Sequence, residues 1–293
     1  MRLRSLLFVP ADRPERFAKA AASGADALIL DLEDSVAPEK KDVGRAAVAE
    51  WLAGDRAGVT TLVRVNPLDS TLADGDLEAV MPGKPDGLLL PKAEGAKSVE
   101  TLVSKLGGVA LPILPIATET PSAIFQLGSY GAVAAHLAGL TWGAEDLPAA
   151  IGAATSREPD GSYTAPYELV RSLTLFGAHA AGTAAVETVF PRIGAPEALA
   201  AYVARARRDG FAGMMAIHPA QVAIINDGFT PSEAEVAHAR AVIAAFAANP
   251  GVGALKLDGK MIDRPHLIQA QRIIGMSETS DTLKFERSGT VRS

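Results

Sequence analysis

The feature that most constrains this chain is a recurrence of short apolar runs, each ending on a charged or polar residue. ALILDLED (27–34), TLVRVN (61–66), GLLLPK (87–92), LPILPIATE (111–119) and HLAGLTWGAED (136–146) all follow it. A strand in a parallel sheet is covered on both faces and therefore reads as a continuous apolar run. Charges placed just past such runs cannot belong to an apolar core, so they gather at the carboxyl edge of the sheet. That edge is where parallel α/β folds carry their chemistry. Glu119 and Asp146 end two of the runs in carboxylates, and Arg64 places a guanidinium near the end of a third.

Helix signals fill the gaps. SLLFVP (5–10) is the first strand, and 14–25 reads as an Ala-rich helix with Pro14 suited to its first turn. A helix over 39–53 carries Val43, Ala47, Val48 and Trp51 on one face. Further helices are expected around 74–81, 96–106, 121–128, 165–181 and 195–209, with strands AVETVFPRI (185–193) and GMMAIHP (213–219). About eight strands alternating with helices is the (β/α)₈ TIM-barrel pattern. The alternative is a doubly wound open sheet, but that fold usually has fewer strands, and no GxGxxG turn follows the first strand here. The barrel is assigned to 1–229. Beyond it lie an amphipathic helix (232–248), a loop, a hairpin in LKLDGKMID and a last helix from RPHLIQAQRIIGM, read together as a C-terminal lid or arm over 230–277. Residues 278–293 lack apolar periodicity and are expected to be a disordered tail.

Composition removes several classes of function. The 293 residues carry a net charge of −6, which argues against general nucleic-acid binding. There are no cysteines, so disulfides, thiolate metal sites and a cysteine nucleophile are excluded. The first apolar run is too short for a signal peptide and is ended by Pro10 and Asp12. No stretch approaches the roughly 18 apolar residues of a membrane span. The expected location is cytoplasmic, with no membrane partner.

Glu119 and Asp146 stand 27 residues apart, which places them on neighbouring strand ends of a barrel. Two carboxylates with open remaining positions suit Mg²⁺, which keeps waters and takes its other oxygens from substrate. The plainer reading of each is a cap or loop charge, and Glu119-Thr120-Pro121 does resemble a helix entry. Arg64 lies among Leu62, Val63 and Val65, where a charge is costly unless paired, so it should face a polar cavity. It can bind a substrate carboxylate bidentately, or form a structural ion pair with Asp31 or Glu33. The acidic cluster Asp31, Glu33 and Asp34 reads as support for Arg64 or for metal-bound waters. Lys92 could contact an anion or pair with Glu94; a Schiff-base role is disfavoured because nothing local desolvates it. Arg13, Arg16 and Lys19 could hold phosphates at the barrel rim, or form a solvated helix face. His218 ends the last strand, where a structural role is as plausible as a site role. Asp263 taken alone is an ordinary turn aspartate before Arg264-Pro265.

Taken together, SLLFVPADRPERF, LILDLEDSVAPEKK, RVNPLDS, LLLPKAE, PIATET, GLTWGAEDL, AIHPAQV and LDGKMIDRP resemble the citrate lyase β-subunit-like proteins. That group includes malyl-CoA and citramalyl-CoA lyases within the HpcH/HpaI aldolase superfamily, and the resemblance runs from about residue 4 to 276. It implies a TIM barrel, Mg²⁺, a coenzyme A thioester substrate and reversible Claisen-type cleavage of a 3-hydroxyacyl-CoA to a 2-keto acid and acetyl-CoA. Residue by residue, it implies Glu119 and Asp146 as Mg²⁺ ligands and Arg64 as the clamp on the keto-acid carboxylate. Ala144 and Glu145, beside Asp146, would contact substrate, and Arg13, Arg16 and Lys19 would hold the CoA phosphates. Asp263 would be an acid/base delivered by the arm, often into a neighbouring subunit of a homotrimer or hexamer. The family's I-E-T reads ATET here (117–120). Three other activities stay open: a malyl-CoA thioesterase or malate-synthase-type reaction, a citrate lyase β subunit acting on an acyl-carrier-protein thioester, and a pyruvate aldolase that uses no CoA.

Overall fold

The computed structural model describes residues 1–288, with side chains described through Ser277. It divides into two compact units, Met1–Asn226 and the chain from Asp227 onward. The first is the barrel. Its strands are β1 (Ser5–Pro10), β2 (Ala27–Asp31), β3 (Thr60–Arg64), β4 (Gly87–Leu90), β5 (Ile113–Pro115), β6 (Leu140–Thr141), β7 (Ala185–Glu187) and β8 (Gly213–Ala216). All pair in parallel, in the order β5-β4-β3-β2-β1-β8-β7-β6. The ends of that sheet meet through two parallel bridges, Ile113 with Leu137 and Ile116 with Thr141. Ala138 N donates to Ile113 O at 2.8 Å and Ala117 N to Thr141 O at 2.9 Å, which closes the ring.

The helices are α1 (Phe17–Ala21), α2 (Lys41–Ala53), α3 (Ala73–Val80), α4 (Ala96–Lys105), α5 (Pro121–Ile124), α6 (Asp146–Ile151), α7 (Ala165–Ala180), α8 (Pro196–Asp209) and α9 (Pro219–Phe229). Side chains on a strand alternate between two faces. Leu6, Ile29, Leu62, Leu89, Leu114, Val186 and Met215 form one buried cluster that fills the barrel. The alternate set, including Leu28, Leu30, Val63, Leu88 and Leu90, is equally buried under the helices. Two residues past Ile29 and Leu62 come Asp31 and Arg64, partners in the β2–β3 register. The same alternation that sends the leucines inward therefore sends these charges inward, one layer nearer the carboxyl end.

Several local expectations change. The helix expected at 14–25 is a short 3₁₀ turn at Pro14–Arg16 followed by α1. The helix at 121–128 stops at Ile124 and passes into 3₁₀ turns, and the strand at 185–193 ends at Glu187. On α2 the packed face is Lys41, Gly44, Ala47, Val48 and Leu52, while Val43 is exposed. Gly44 belongs to that face because the backbone packs closely there: a Cβ would stand 3.2 Å from both Ala11 and Leu32.

In the second unit, α10 (Glu233–Ala247) starts on a capping box between Ser232 and Glu235. It is followed by the antiparallel hairpin β9 (Ala254–Leu257) and β10 (Lys260–Asp263), then α11 (Arg264–Ser288). The hairpin turn is Asp258-Gly259, both with positive φ (49° and 79°), as a two-residue turn between right-twisted strands requires. Ala239, Val242, Ile262 and Ala270 give the unit its own small core. Helical backbone continues to Ser288 where a disordered tail over 278–293 was expected; the part of that expectation beyond 288 lies outside the described residues. No helix among the described residues is long and apolar enough to cross a membrane.

Candidate active site

A cavity of about 400 Å³ opens at the carboxyl end of the barrel strands, and Asp31, Asp34, Arg64, Glu119, Ala144, Glu145 and Asp146 all line it. Its apolar wall is supplied by Phe8, Ile116, Val189, Met215 and Ile217. The charges that end the apolar runs thus converge, and they do so largely buried: Asp31 is 1% exposed, Glu33 4% and Glu119 5%. They are buried as a polar cluster set above the apolar layer.

Arg64 is the centre of the first half. Its Nε and Nη2 donate to Asp31 Oδ1 and Oδ2 at 2.6 and 2.7 Å, a bidentate pair. Nη1 lies 2.8 Å from Glu33 Oε2 and 3.7 Å from Asp34 Oδ2. The Glu33 contact is a charge contact out of line with the N–H bonds, so Glu33 Oε2 has no hydrogen-bond donor. The guanidinium also lies over the Phe8 ring, 5.0 Å from its centroid. Burial would raise the Asp31 pKa, but the hydrogen bonds and charge of Arg64, with the amides of Ser35 and Glu33, outweigh it and hold the carboxyl below its ordinary value. The structural ion pair foreseen for Arg64 is present, and the cavity is present beside it.

Glu119 anchors the second half. Thr120, not Glu119, caps α5: its hydroxyl accepts from Ala123 N at 3.2 Å, with Pro121 next in the first turn. Glu119 is left for the cavity. Its Oε2 accepts from the Lys92 amide at 2.6 Å. Thr118 and Gly143 are tied by Gly143 N to Thr118 Oγ1 at 3.1 Å, bringing the 143–146 segment against Glu119. Gly143 suits that approach, since a Cβ there would press on Glu119 Cγ at 3.1 Å and Ile116 Cγ2 at 3.3 Å. Asp146 follows as the first residue of α6. Burial, and beyond it the charges of Asp146 and Glu33, push the Glu119 pKa up to about 8 against the pull of the Lys92 amide and Arg64.

That elevation comes first from burial and then from the neighbouring carboxylates. Glu119 and Asp146 line one cavity, and a divalent cation between them would offset both effects, so the residues present fit Mg²⁺. Among the described residues no cluster of three His, Cys, Asp or Glu ligands forms. A carboxylate pair is the arrangement Mg²⁺ accepts, since its other positions go to water and substrate oxygens.

The remaining candidates divide. Lys92 pairs with Glu33 Oε1 at 3.0 Å and not with Glu94, whose Oε1 instead accepts from the Thr120 hydroxyl. Its pKa is raised, because the Glu33 carboxylate outweighs burial, and this disfavours the free amine a Schiff base needs. Arg13, Arg16 and Lys19 are exposed and none lines the cavity. His218 is exposed, and its Nδ1 accepts from Ala220 N. Asp263 ends β10 in the second unit and is hydrogen-bonded to His266.

Sequence reasoning missed Lys41 and Glu187. Lys41 Nζ is buried on α2 and donates to Leu32 O, Glu33 O and Asn66 Oδ1 at 2.6, 2.8 and 2.9 Å, pinning the loop that carries Glu33. Glu187 ends β7 with no exposure and binds Trp142, Arg171 and the Thr188 amide. Its position at the end of an apolar run is the same signal that marked Glu119.

A closed parallel barrel whose carboxyl-end cavity sets one guanidinium among surplus carboxylates has the layout of an α/β-barrel enzyme, with its candidate site where such folds carry their chemistry. Residues 4–219 match the model of the HpcH/HpaI aldolase/citrate lyase family, and the chain belongs to that family. The citrate lyase subunit beta-like protein of Mycobacterium tuberculosis is 36% identical over 269 residues, covering 92% of this chain and 93% of that protein. A (3S)-malyl-CoA thioesterase of Cereibacter sphaeroides is 33% identical over 280 residues, covering 94% of each. CitE from M. tuberculosis, solved with magnesium, acetoacetate and coenzyme A, has a TM-score of 0.79 at 35% identity, covering 94% of this chain and 98% of its own. The chain is accordingly a carbon–carbon lyase, in a family that works with Mg²⁺ and CoA or acyl thioesters.

Proposed function

We propose that this lyase cleaves a 3-hydroxyacyl-CoA of the malyl-CoA or citramalyl-CoA type to a 2-keto acid and acetyl-CoA, reversibly. The observation that carries the reading is the convergence of Arg64, Glu119 and Asp146 on one cavity. Glu119 and Asp146 would hold Mg²⁺, which when bound supplies a Lewis acid beside the substrate's hydroxyl and carboxylate oxygens. Arg64, preset by Asp31, turns its remaining donors to the substrate carboxylate and fixes the carbon to be cleaved. The apolar wall of Phe8, Ile116 and Met215 excludes water from the carbanionic centre. The hydroxyl proton passes to water or a carboxylate of the site, the C2–C3 bond breaks with its electron pair going to the thioester enolate, and a proton is returned to the enolate carbon. By the family resemblance that proton comes from Asp263. Asp263→Asn is expected to lose cleavage by about 10²- to 10⁴-fold, the usual contribution of a positioned acid, with Mg²⁺ affinity unchanged.

The test is incubation with a panel of hydroxyacyl-CoA esters, with and without Mg²⁺, following keto acid, acetyl-CoA and free CoA together. Stoichiometric keto acid and acetyl-CoA that depend on Mg²⁺ support the lyase reading. The relation to a (3S)-malyl-CoA thioesterase favours one second reading, hydrolysis at the same site. Free CoA without matching acetyl-CoA would select it.

A further inference from the structure

Lys92 is a cation beside the acidic cluster to which the proposed function gives no role. It follows β4 at Pro91-Lys92 and adopts a left-handed backbone, φ 49°, which an L side chain rarely takes. Such an outlier persists only where its surroundings enforce it, and here two contacts do. The amide donates to Glu119 Oε2 at 2.6 Å, and the ammonium donates to Glu33 Oε1 at 3.0 Å. Glu33 is in turn pinned from behind, its carbonyl accepting from Lys41 Nζ at 2.8 Å. The ammonium is therefore directed to the buried Glu33 carboxylate, whose backbone is anchored by Lys41. Near it stand Glu33, Asp34, Glu119 and Asp146, and the cations described among these carboxylates are Arg64, Lys92 and, behind Glu33, Lys41.

We propose that Lys92 is the resident countercharge of this pocket: its fixed ammonium weakens the hold of the carboxylates on a divalent cation and strengthens the hold on an anionic substrate. The inference rests on the metal-assisted reading above and deepens it. A fixed positive charge acts with opposite sign on the two ligands. It repels Mg²⁺ and attracts a keto-acid carboxylate, so that the pocket can bind a doubly charged cation without trapping it and still accept an anion. Lys92 is a positioning and electrostatic residue in this scheme and forms no bond to substrate.

The opposite signs supply a test that a purely structural role would fail. Mg²⁺ is titrated calorimetrically into the wild type, Lys92→Met, Lys92→Gly and Lys92→Arg. At saturating Mg²⁺ the same proteins are titrated with whichever of glyoxylate, pyruvate and oxaloacetate the wild type binds. Lys92→Gly guards against misfolding, because glycine takes a positive φ freely while keeping the amide on Glu119. Met and Gly are expected to bind Mg²⁺ about three- to tenfold more tightly and the keto acid about three- to tenfold more weakly, as follows from removing one charge several ångströms away in a half-solvated site. Arg should keep both affinities within about twofold, because the charge is retained. Weakening of both ligands together, or no change in either, overturns the countercharge role while leaving the proposed function standing. A wild type that binds neither Mg²⁺ nor any of the three keto acids overturns the proposed function itself.

Discussion

Two buried guanidinium–carboxylate clusters stand at the carboxyl ends of the barrel strands, and they are built to opposite specifications. Behind β6 and β7, Glu187 accepts from Arg171 Nε at 2.7 Å, from Trp142 Nε1 and from Thr188 N at 3.0 Å, so both its oxygens are engaged. Arg171 reaches on to Asp209 at 2.8 Å and lies over the Phe211 ring. Carboxylate and guanidinium are close to balanced there, and Glu187 and Arg171 are 0% and 2% exposed. Beside β2 and β3, Arg64 faces Asp31, Glu33 and Asp34, with Glu119 and Asp146 across the cavity. That cluster holds more carboxylate than its own cations neutralise; each cluster leaves one buried atom unpaired, but it is a carboxylate oxygen of Glu33 here and a guanidinium nitrogen of Arg171 there. A balanced, sealed cluster fixes structure. An acid-rich cluster opening on a cavity has charge to offer a ligand.

The largest effect that would break this contrast is at Glu119. Glu119→Gln removes a proposed metal ligand without changing shape. It is expected to lower Mg²⁺-dependent turnover by about 10³-fold or more, in the range seen when a main electrostatic element of a site is removed, and to weaken Mg²⁺ binding by calorimetry. Far-ultraviolet circular dichroism should stay that of the wild type. Retained turnover with unchanged Mg²⁺ affinity would show that the acid-rich cluster is no metal site.

In the balanced cluster the same kind of change should act on stability. Arg171→Leu leaves Glu187 without its countercharge, with Trp142 and Thr188 as its remaining donors, which costs about 3–5 kcal/mol for a buried pair broken on one side. Urea denaturation should show that loss, and the double variant Arg171→Leu/Glu187→Leu should recover most of it, because no charge is then stranded. A fully stable Arg171→Leu protein would mean that Glu187 is held neutral, and the contrast between the clusters would fail.

The acid-rich cluster was largely legible in the sequence, because its charges interrupt or end apolar runs and strand alternation dictates where they point. Asp31 and Arg64 face inward for the same reason that Ile29 and Leu62 do. Partner choice was less legible. Lys92 has Glu94 two residues away in sequence, yet a left-handed turn sends its ammonium to Glu33, on the loop after β2. Glu187 carried the right signal but sits in a run whose strand ends early, so it reads as one more polar residue in a long stretch. Lys41 carried none: a lysine near the start of a helix reads as solvated, and only the fold brings three oxygens around its ammonium. The barrel itself followed from the alternation of runs, whereas the lengths of the short strands β5, β6 and β7 did not. Ring closure there rests on isolated bridges and the 118–143 tie, which no periodicity records.

The smallest predicted effect distinguishes the clusters by pH. Glu119 has a folded-state pKa of about 8, well above its ordinary value of 4.5. Between those two values the folded protein holds a proton that the unfolded chain releases, so the contribution of Glu119 to stability falls as pH rises and levels off above about 8. From pH 6 to 8 the metal-free wild type should therefore lose about 2 kcal/mol relative to Glu119→Gln, at 1.36 kcal/mol per unit of pH. Comparing against that variant cancels the slope of Glu187, whose burial also raises its pKa. Saturating Mg²⁺ should erase the difference, since a cation at the carboxylate replaces the proton. Chemical denaturation at both pH values, with and without Mg²⁺, reads it directly. A difference that survives Mg²⁺ would mean that the charge missing from this cluster is not supplied at Glu119, and the search for the cation would move to Glu33, the other carboxylate with an oxygen to spare.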